Sequence, residues 1–241
     1  MLTAIITAAG QATRMGGFNK IFADLGGAPV LARSLEGLYE SGAIDHFILL
    51  IQEQDRMRLK ETVLAPLLAR HPDFPYTIAL GGARREETVQ RGLALLPEKT
   101  DWVLVHDGAR PFVTGDLVQA AIHCLEEGTV DGCVAAVPVR DTIKRVDGSS
   151  LVVETPVRAS LYQIQTPQLF RKEALLSAYE KPLEEGEEVR DDAGMLERIG
   201  RRVAIFPGRV DNIKLTWPID LKLAELLWEE RDEKNSNRPG L

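Results

Sequence analysis

Long apolar runs are missing from this 241-residue chain, and none approaches the roughly 20 residues that a membrane-spanning helix needs. Cysteine is scarce as well. Cys124 and Cys133 form no CxxC and have no His pair beside them, which excludes zinc spacing and a disulfide framework. Both are expected to be buried core thiols. Basic excess is also lacking: 29 Lys and Arg stand against 36 Asp and Glu, a net charge of −7. That balance argues against a general nucleic-acid or anionic-membrane partner. The opening Met-Leu-Thr-Ala-Ile-Ile carries no basic leader and no cleavage site, so a reduced, cytoplasmic protein is expected. What remains is ordinary globular composition, 44% hydrophobic and 27% charged, in a chain long enough to bury a full core unaided.

Short β-branched runs alternate with helical stretches, the pattern of parallel βαβ units. Strands are expected at Leu2 to Thr7, Phe47 to Ile51, Tyr76 to Leu80, Trp102 to Val105, Gly132 to Val137, Arg202 to Phe206 and, briefly, Asn212 to Leu215. Helical spacing marks Pro29 to Tyr39, Gln54 to Leu68, Glu86 to Leu96, Gly115 to Glu127, a segment near Arg171 to Tyr179, and Pro218 to Glu230. Residues 139–160 break the rhythm with two short β segments around Asp147-Gly148-Ser149-Ser150. Ile143, Val146, Leu151, Val152 and Val153 have no helix there to cover them, so an arm that pairs with a second subunit is expected. The organisation is one domain over 1–231, with the arm at 139–160 and a polar, frayed tail at 232–241.

In an open parallel sheet, ligands bind beyond the carboxyl ends of the strands. Four loops qualify. The first, Ala8-Ala9-Gly10 onward to Lys20, offers small residues whose backbone N–H groups can approach phosphate, with Arg14 and Lys20 as cations. Its glycine spacing is neither a dinucleotide fingerprint nor a P-loop, and a plain strand-to-helix turn fits it equally well. The second, Gly81-Gly82-Ala83-Arg84-Arg85-Glu86-Glu87-Thr88, permits close approach of a flat base, with Thr88 as a hydrogen-bonding group. A glycine turn with a capping box is the competing account. The third, His106-Asp107-Gly108-Ala109-Arg110-Pro111, sets an aspartate suited to Mg²⁺ at a strand end. Arg110 either holds that carboxylate or touches phosphate, an internal Asp–Arg ion pair is the alternative, and His106 reads as structural. The fourth, Asp211-Asn212-Ile213-Lys214-Leu215-Thr216, presents Lys214.

These loops occur in a specific order, joined by Pro138-Val139-Arg140-Asp141-Thr142-Ile143-Lys144 and Gln165-Thr166-Pro167-Gln168. With them the chain resembles, from about Leu2 to Trp228, the 2-C-methyl-D-erythritol 4-phosphate cytidylyltransferase family of the non-mevalonate isoprenoid pathway. The resemblance implies a Rossmann-like nucleotidyltransferase, a mostly parallel central sheet flanked by helices, whose protruding β-arms interlock in a homodimer. It implies transfer of CMP from CTP to methylerythritol phosphate with release of pyrophosphate and with Mg²⁺ as cofactor. Carried over by motif, Arg14 and Lys20 would stabilise the transition state at the α-phosphate, and Arg158 and Lys214 would position the acceptor. Thr142 and Thr166 would line the acceptor site, with Thr142 and Arg158 reaching in from the partner subunit. Ala8, Ala9, Gly10, Gly81, Gly82, Thr88 and Arg110 would hold the nucleotide, and Asp107 would stand on the metal side.

Three positions depart from the family pattern. Ala12 stands for a glycine, Ala83 for an acidic residue, and Arg190 opens Arg190-Asp191-Asp192-Ala193-Gly194 where a threonine is usual. Other readings stay open: a ribitol 5-phosphate cytidylyltransferase, a non-catalytic nucleotide binder of the same fold, and a nicotinamide-dependent oxidoreductase. The last lacks both GxGxxG spacing and a Tyr-x-x-x-Lys pair. The net charge has its own location: the four glutamates of 184–188 and the net −3 of 229–233 account for all of the −7. The cleft, by contrast, would gather Arg14, Lys20, Arg110, Arg158 and Lys214.

Overall fold

Apolar side chains that alternate between two directions along a strand need cover on both faces of their sheet, and this chain supplies helices to both. The computed structural model describes residues 1–10, 19–181, 183 and 189–236. Arg14 and Ala12 in the first loop, and the acidic run 184–188, lie outside the described residues. In chain order come β1 (Leu2–Thr7), a small hairpin of β2 (Asp24–Leu25) and β3 (Ala28–Pro29), α1 (Val30–Tyr39) and β4 (His46–Ile51). A continuous helical run follows, made of α2 (Arg56–Arg58), a π-helical stretch (Leu59–Leu64) and α3 (Ala65–Arg70). Then come β5 (Tyr76–Leu80), α4 (Arg85–Leu93), β6 (Trp102–Asp107), α5 (Gly115–Glu127) and β7 (Gly132–Pro138). The arm contributes β8 (Arg145–Val146) and β9 (Val152–Glu154). The chain closes with β10 (Tyr162–Arg171), α6 (Lys172–Glu180), α7 (Asp192–Glu197), β11 (Val203–Pro207) and α8 (Pro218–Ser236).

The central sheet has seven strands in the order β11-β7-β10-β6-β1-β4-β5, and β10 alone runs antiparallel, against both β6 and β7. Ala4 and Ile6 of β1, Phe47, Leu49 and Ile51 of β4, and Leu104 of β6 face a core shared with α1, α3, α5 and α8. Ile5, Ile48, Leu50, Val103 and Val105 face the opposite core, closed by α4, α6 and α7. All six parallel strands therefore deliver their carboxyl ends to one edge, where the candidate loops gather. Among the described residues, no helix is long and apolar enough to cross a membrane.

Several expectations change. The ten-residue β10, which runs through Thr166-Pro167, is not among the expected strands. Asn212 to Leu215 is irregular rather than a strand, because its polar groups are met by single cross-links: Leu215 N–H donates to Ala109 O, and the Asn212 amide to Thr166 O. The last helix continues to Ser236, so part of the expected tail is helical. Cys133 is buried, whereas Cys124 is only partly so. The arm stands exposed, with Val157 at 74% and Leu151 at 66% of full exposure.

The β2–β3 turn sits directly after Lys20 and is locked from two sides. Arg33 donates through Nε to Leu25 O at 3.1 Å and through Nη2 to Gly26 O, while its guanidinium stacks 4.2 Å from the Trp228 ring centre. Gly26 has φ +61°, and a Cβ there would overlap the Trp228 indole; Gly27 has φ +81° and open space around it. Left-handed backbone costs an alanine about 1–2 kcal/mol at either position, and overpacking adds about 1–3 kcal/mol only at Gly26. Gly26→Ala is therefore expected to lower the urea midpoint distinctly more than Gly27→Ala. Equal shifts would show that α8 does not brace this turn.

Candidate active site

At the carboxyl edge of the sheet two depressions meet. The smaller, about 260 Å³, is lined by Ala8, Ala9 and Gly10 after β1, by Asn19 and Lys20, by Gly82 to Arg85 and Thr88, and by Asp107, Ala109 and Lys214. The larger, about 1110 Å³, runs between the ends of β7, β10 and β11, with Arg110, Tyr162, Ile164, Ile205, Asn212 and Lys214 on its walls. Lys214 lines both.

Each wall is held in place by neighbours. Gln52 donates to Ala9 O at 2.8 Å, and Asn19 donates to Asp55 at 2.8 Å, fixing the two described ends of the first loop. Gly81 packs so tightly on Ala9 and Thr88 that a Cβ would overlap the Ala9 methyl. The Thr88 hydroxyl accepts from Gly82 N–H at 3.0 Å and donates to Arg84 O at 3.0 Å, while Glu87 accepts from Ala83 N–H at 3.0 Å. Thr88 thus shapes the glycine turn as a cap does, in addition to lining the cleft.

Asp107 is the electrostatic centre. Its side chain is 9% exposed at the end of β6. Lys214 Nζ lies 2.9 Å from Oδ2, Arg110 Nε 3.5 Å from Oδ2, and Arg85 Nε 3.9 Å from Oδ1, to which Thr7 also donates at 3.3 Å. Burial by itself would raise the Asp107 pKa, but Lys214, Arg85 and Arg110 together hold it well below the usual carboxylate range. Burial works against the charge of Arg110 and lowers its pKa.

Behind Asp107 lies a neutral polar layer. His106 is fully buried; its Nε2 faces Arg110 O at 3.3 Å and its Nδ1 faces Thr166 Oγ1 at 3.0 Å. A carbonyl only accepts, so Nε2 carries the proton, and the Thr166 hydroxyl donates to Nδ1 while accepting from Asp107 N–H at 3.1 Å. Burial pushes the His106 pKa down to about 4, against a smaller opposing pull from Asp107. His106 therefore braces the site and is not directed into it.

The structure brings Ala8, Ala9, Gly10, Lys20, Gly82, Thr88, Asp107 and Lys214 to one cleft and sets Arg110 on the adjoining groove. Gly81 lies behind Ala9. Thr166 lies beneath the floor, 3% exposed with its hydroxyl committed. Thr142 and Arg158 sit exposed on the arm and line neither depression of their own chain; Arg158 donates to Arg140 O at 3.1 Å. Arg14 is outside the described residues. Arg85 also lines the cleft and is not among the expected site residues; its sequence signal is the doublet Arg84-Arg85 after Gly81-Gly82.

Among the described residues no three His, Cys, Asp or Glu side chains group to hold a metal. Asp107 alone, already paired with Lys214 and Arg110, fits Mg²⁺ only as a single carboxylate partner to an ion carried by substrate phosphates.

An open α/β sheet with small-residue turns and a cationic cleft at its carboxyl edge defines a nucleotide-binding enzyme of the doubly wound class. The chain belongs to the 2-C-methyl-D-erythritol 4-phosphate cytidylyltransferase family, whose model matches residues 2–230. A relative of that name from Thermosynechococcus vestitus is 41% identical over 237 residues, 98% of this chain and 99% of its own. Another from Bacillus velezensis is 42% identical over 226 residues, 92% and 94% of the two chains. The crystal structure of 4-diphosphocytidyl-2C-methyl-D-erythritol synthase from Anaerococcus prevotii superposes with a TM-score of 0.83 at 32% identity, covering 95% of this chain and 96% of that one.

The buried histidine makes a prediction about acid. Its folded pKa of about 4 lies below the ordinary 6.5, so the folded protein binds fewer protons than the unfolded chain between those values. Its contribution is complete above pH 6.5 and is lost as pH falls toward 4, at a limiting slope of about 1.4 kcal/mol per pH unit. Asp107 adds its own loss only at still lower pH, because its folded pKa is depressed below 3.8. Urea midpoints of wild type should fall steeply between pH 6.5 and 4.5, and those of His106→Gln less so. Parallel curves would refute the assignment of a neutral, buried His106.

Proposed function

We propose that this chain transfers CMP from CTP to 2-C-methyl-D-erythritol 4-phosphate, releasing pyrophosphate, in the cytoplasm. The observation that carries the reading is the ring of Lys214, Arg110 and Arg85 around Asp107 at the meeting of two depressions. Family membership and the names of its relatives support the particular substrates.

The chemistry asks little of acid–base groups. A phosphate monoester is mostly dianionic near neutral pH, so the acceptor oxygen attacks the α-phosphorus of CTP without losing a proton first. The P–O bond to the β-phosphate breaks, and pyrophosphate carries away the electron pair. Two polyanions must approach one another, so catalysis rests on alignment and on positive charge fixed in advance. The turns at Ala8 to Gly10 and at Gly81-Gly82, with Thr88, would hold the nucleoside; Lys20 and Arg14 would face the triphosphate. Lys214, kept in place by Asp107, and Arg110 would receive the acceptor phosphate. Mg²⁺, arriving with the triphosphate, would offset part of its charge, with Asp107 as the chain's nearest carboxylate.

The acceptor side would be completed by a second copy. The arm exposes Val146, Leu151, Val152, Val153 and Val157, and the large groove exposes Tyr162, Ile164, Ile205 and Val210. Covering each with the other in a homodimer would remove both apolar surfaces from water and bring Thr142 and Arg158 of one chain to the site of its partner.

The decisive assay is pyrophosphate release with CTP, UTP, ATP or GTP against methylerythritol phosphate and ribitol 5-phosphate. Turnover is expected with CTP and methylerythritol phosphate; a preference for ribitol 5-phosphate would reassign the acceptor. Lys20→Ala should lose about 3 kcal/mol of transition-state stabilisation, on the order of a hundredfold in kcat, with its melting temperature unchanged. A near-wild-type rate would remove Lys20 from the mechanism. Arg158→Ala should chiefly raise KM for methylerythritol phosphate. Lys20→Ala and Arg158→Ala chains, each slow at low methylerythritol phosphate, should regain activity there when mixed and allowed to exchange, since one composite site then has both side chains. No recovery would mean that the site is not shared between subunits.

A further inference from the structure

Arg85 contributes to the cleft but is held from outside it. Its side chain lines the smaller depression beside Asp107 and is 28% exposed. Its Nη2 donates to Asp192 Oδ2 at 2.6 Å, whereas its Nε stays 3.9 Å from Asp107. Asp192, at the start of α7, is fully buried and absent from the cleft walls. Its other oxygen accepts from the Tyr179 hydroxyl of α6 at 2.6 Å. A carboxylate buried this deeply needs both oxygens satisfied, and here they bind one group that faces the site and one that does not.

The geometry carries a consequence for Asp107. An arginine beside two carboxylates goes to the one that binds it better, and Asp192 has the shorter contact, 2.6 Å against 3.9 Å. Held there, Arg85 leaves Asp107 to Lys214 while its side chain still lines the cleft. Released, it would fold onto Asp107 as a two-pronged pair, compete with Lys214 and withdraw its charge from the ligand.

Resting on the reading of the cleft as a nucleotide site, we propose that Arg85 is a further nucleotide-contacting cation and that Asp192, gripped by Tyr179, is its positioning residue. The position of α6 and α7 is thereby coupled to triphosphate binding through one guanidinium. Neither Asp192 nor Tyr179 needs to touch the nucleotide for this.

The test is a double-mutant cycle read by calorimetric titration of CTP, without acceptor and with magnesium present, and by steady-state kinetics. Arg85→Met and Asp192→Asn are each expected to weaken CTP binding about tenfold, and the double variant no more than Arg85→Met alone. Tyr179→Phe keeps the ring in the core and should weaken CTP about threefold, an effect that disappears in the Arg85→Met background. KM for methylerythritol phosphate should stay within twofold throughout. A purely structural Asp192 would instead lower the melting temperature and multiply with Arg85→Met. Multiplying effects, or unchanged CTP affinity in Arg85→Met, would overturn the proposal. If Asp192→Asn does not fold, the Tyr179 cycle decides alone. Wild type that binds no CTP would overturn both readings. Normal CTP binding without transfer would overturn only the reaction, and the cycle would still report on Arg85.

Discussion

One buried carboxylate sets the arrangement of this site. Asp107 ends β6, a strand flanked by β1 and β10, so its charge is delivered to a place that water barely reaches. A lone charge there would be costly, and the chain meets it with cations from three separate segments: Arg85 after β5, Arg110 after β6 and Lys214 after β11. Two unit charges about 4 Å apart interact by roughly 4 kcal/mol at the effective dielectric of a protein surface. The same cations, gathered without Asp107, would repel one another on that scale. The carboxylate is therefore what permits three segments to converge, and three cations against the two carboxylates Asp107 and Asp192 leave positive charge for a ligand.

That surplus sits within a chain of net charge −7. Acidic residues are concentrated at 184–188 and 229–233. The latter is on α8, whose Leu221, Leu227 and Trp228 pack toward the core on the α1 and α5 side of the sheet. A concave site with low-dielectric walls follows its own local charges more than the molecular total, so an acidic protein can attract polyanions to one cleft while repelling them elsewhere. Net charge speaks against nucleic acid as a partner and is silent about the cleft.

Legibility in the sequence followed the same physics. Strands buried on both faces announce themselves as continuous apolar runs, so β1, β4, β6 and β7 are visible, and the strand-end rule then picks out Asp107. β10 is hard to see in the sequence because Gln165, Thr166 and Gln168 interrupt its apolar pattern. They are buried, since each finds a specific partner: Arg209 O for Gln165, His106 for Thr166 and Asp191 for Gln168. Asp192 was hidden for the same reason, as no periodicity distinguishes a buried, fully paired aspartate from a solvated one. Lys214 is legible through its motif, yet Asn212-Ile213-Lys214-Leu215 alternates like a strand while its backbone is irregular. Polar networks depend on residues far apart in the chain, and pattern reading along the chain is blind to them.

The two depressions also constrain the direction of the chemistry. In-line transfer at phosphorus requires the entering and leaving oxygens on opposite sides of the reacting centre. Were nucleotide and acceptor to share the 260 Å³ cleft, they would crowd one side of that centre. The larger groove adjoins it, and Lys214 lies on the wall of both. A phosphorus held near Lys214 Nζ would therefore have the triphosphate tail toward Lys20 and the incoming phosphate toward Arg110. The 2.9 Å contact to Asp107 holds Lys214 at that boundary, so the residue that gathers the cations also sets the position of the lysine shared by the two depressions. On this geometry the groove beyond Arg110, about 1110 Å³ and partly apolar, is larger than a small polyol phosphate fills by itself.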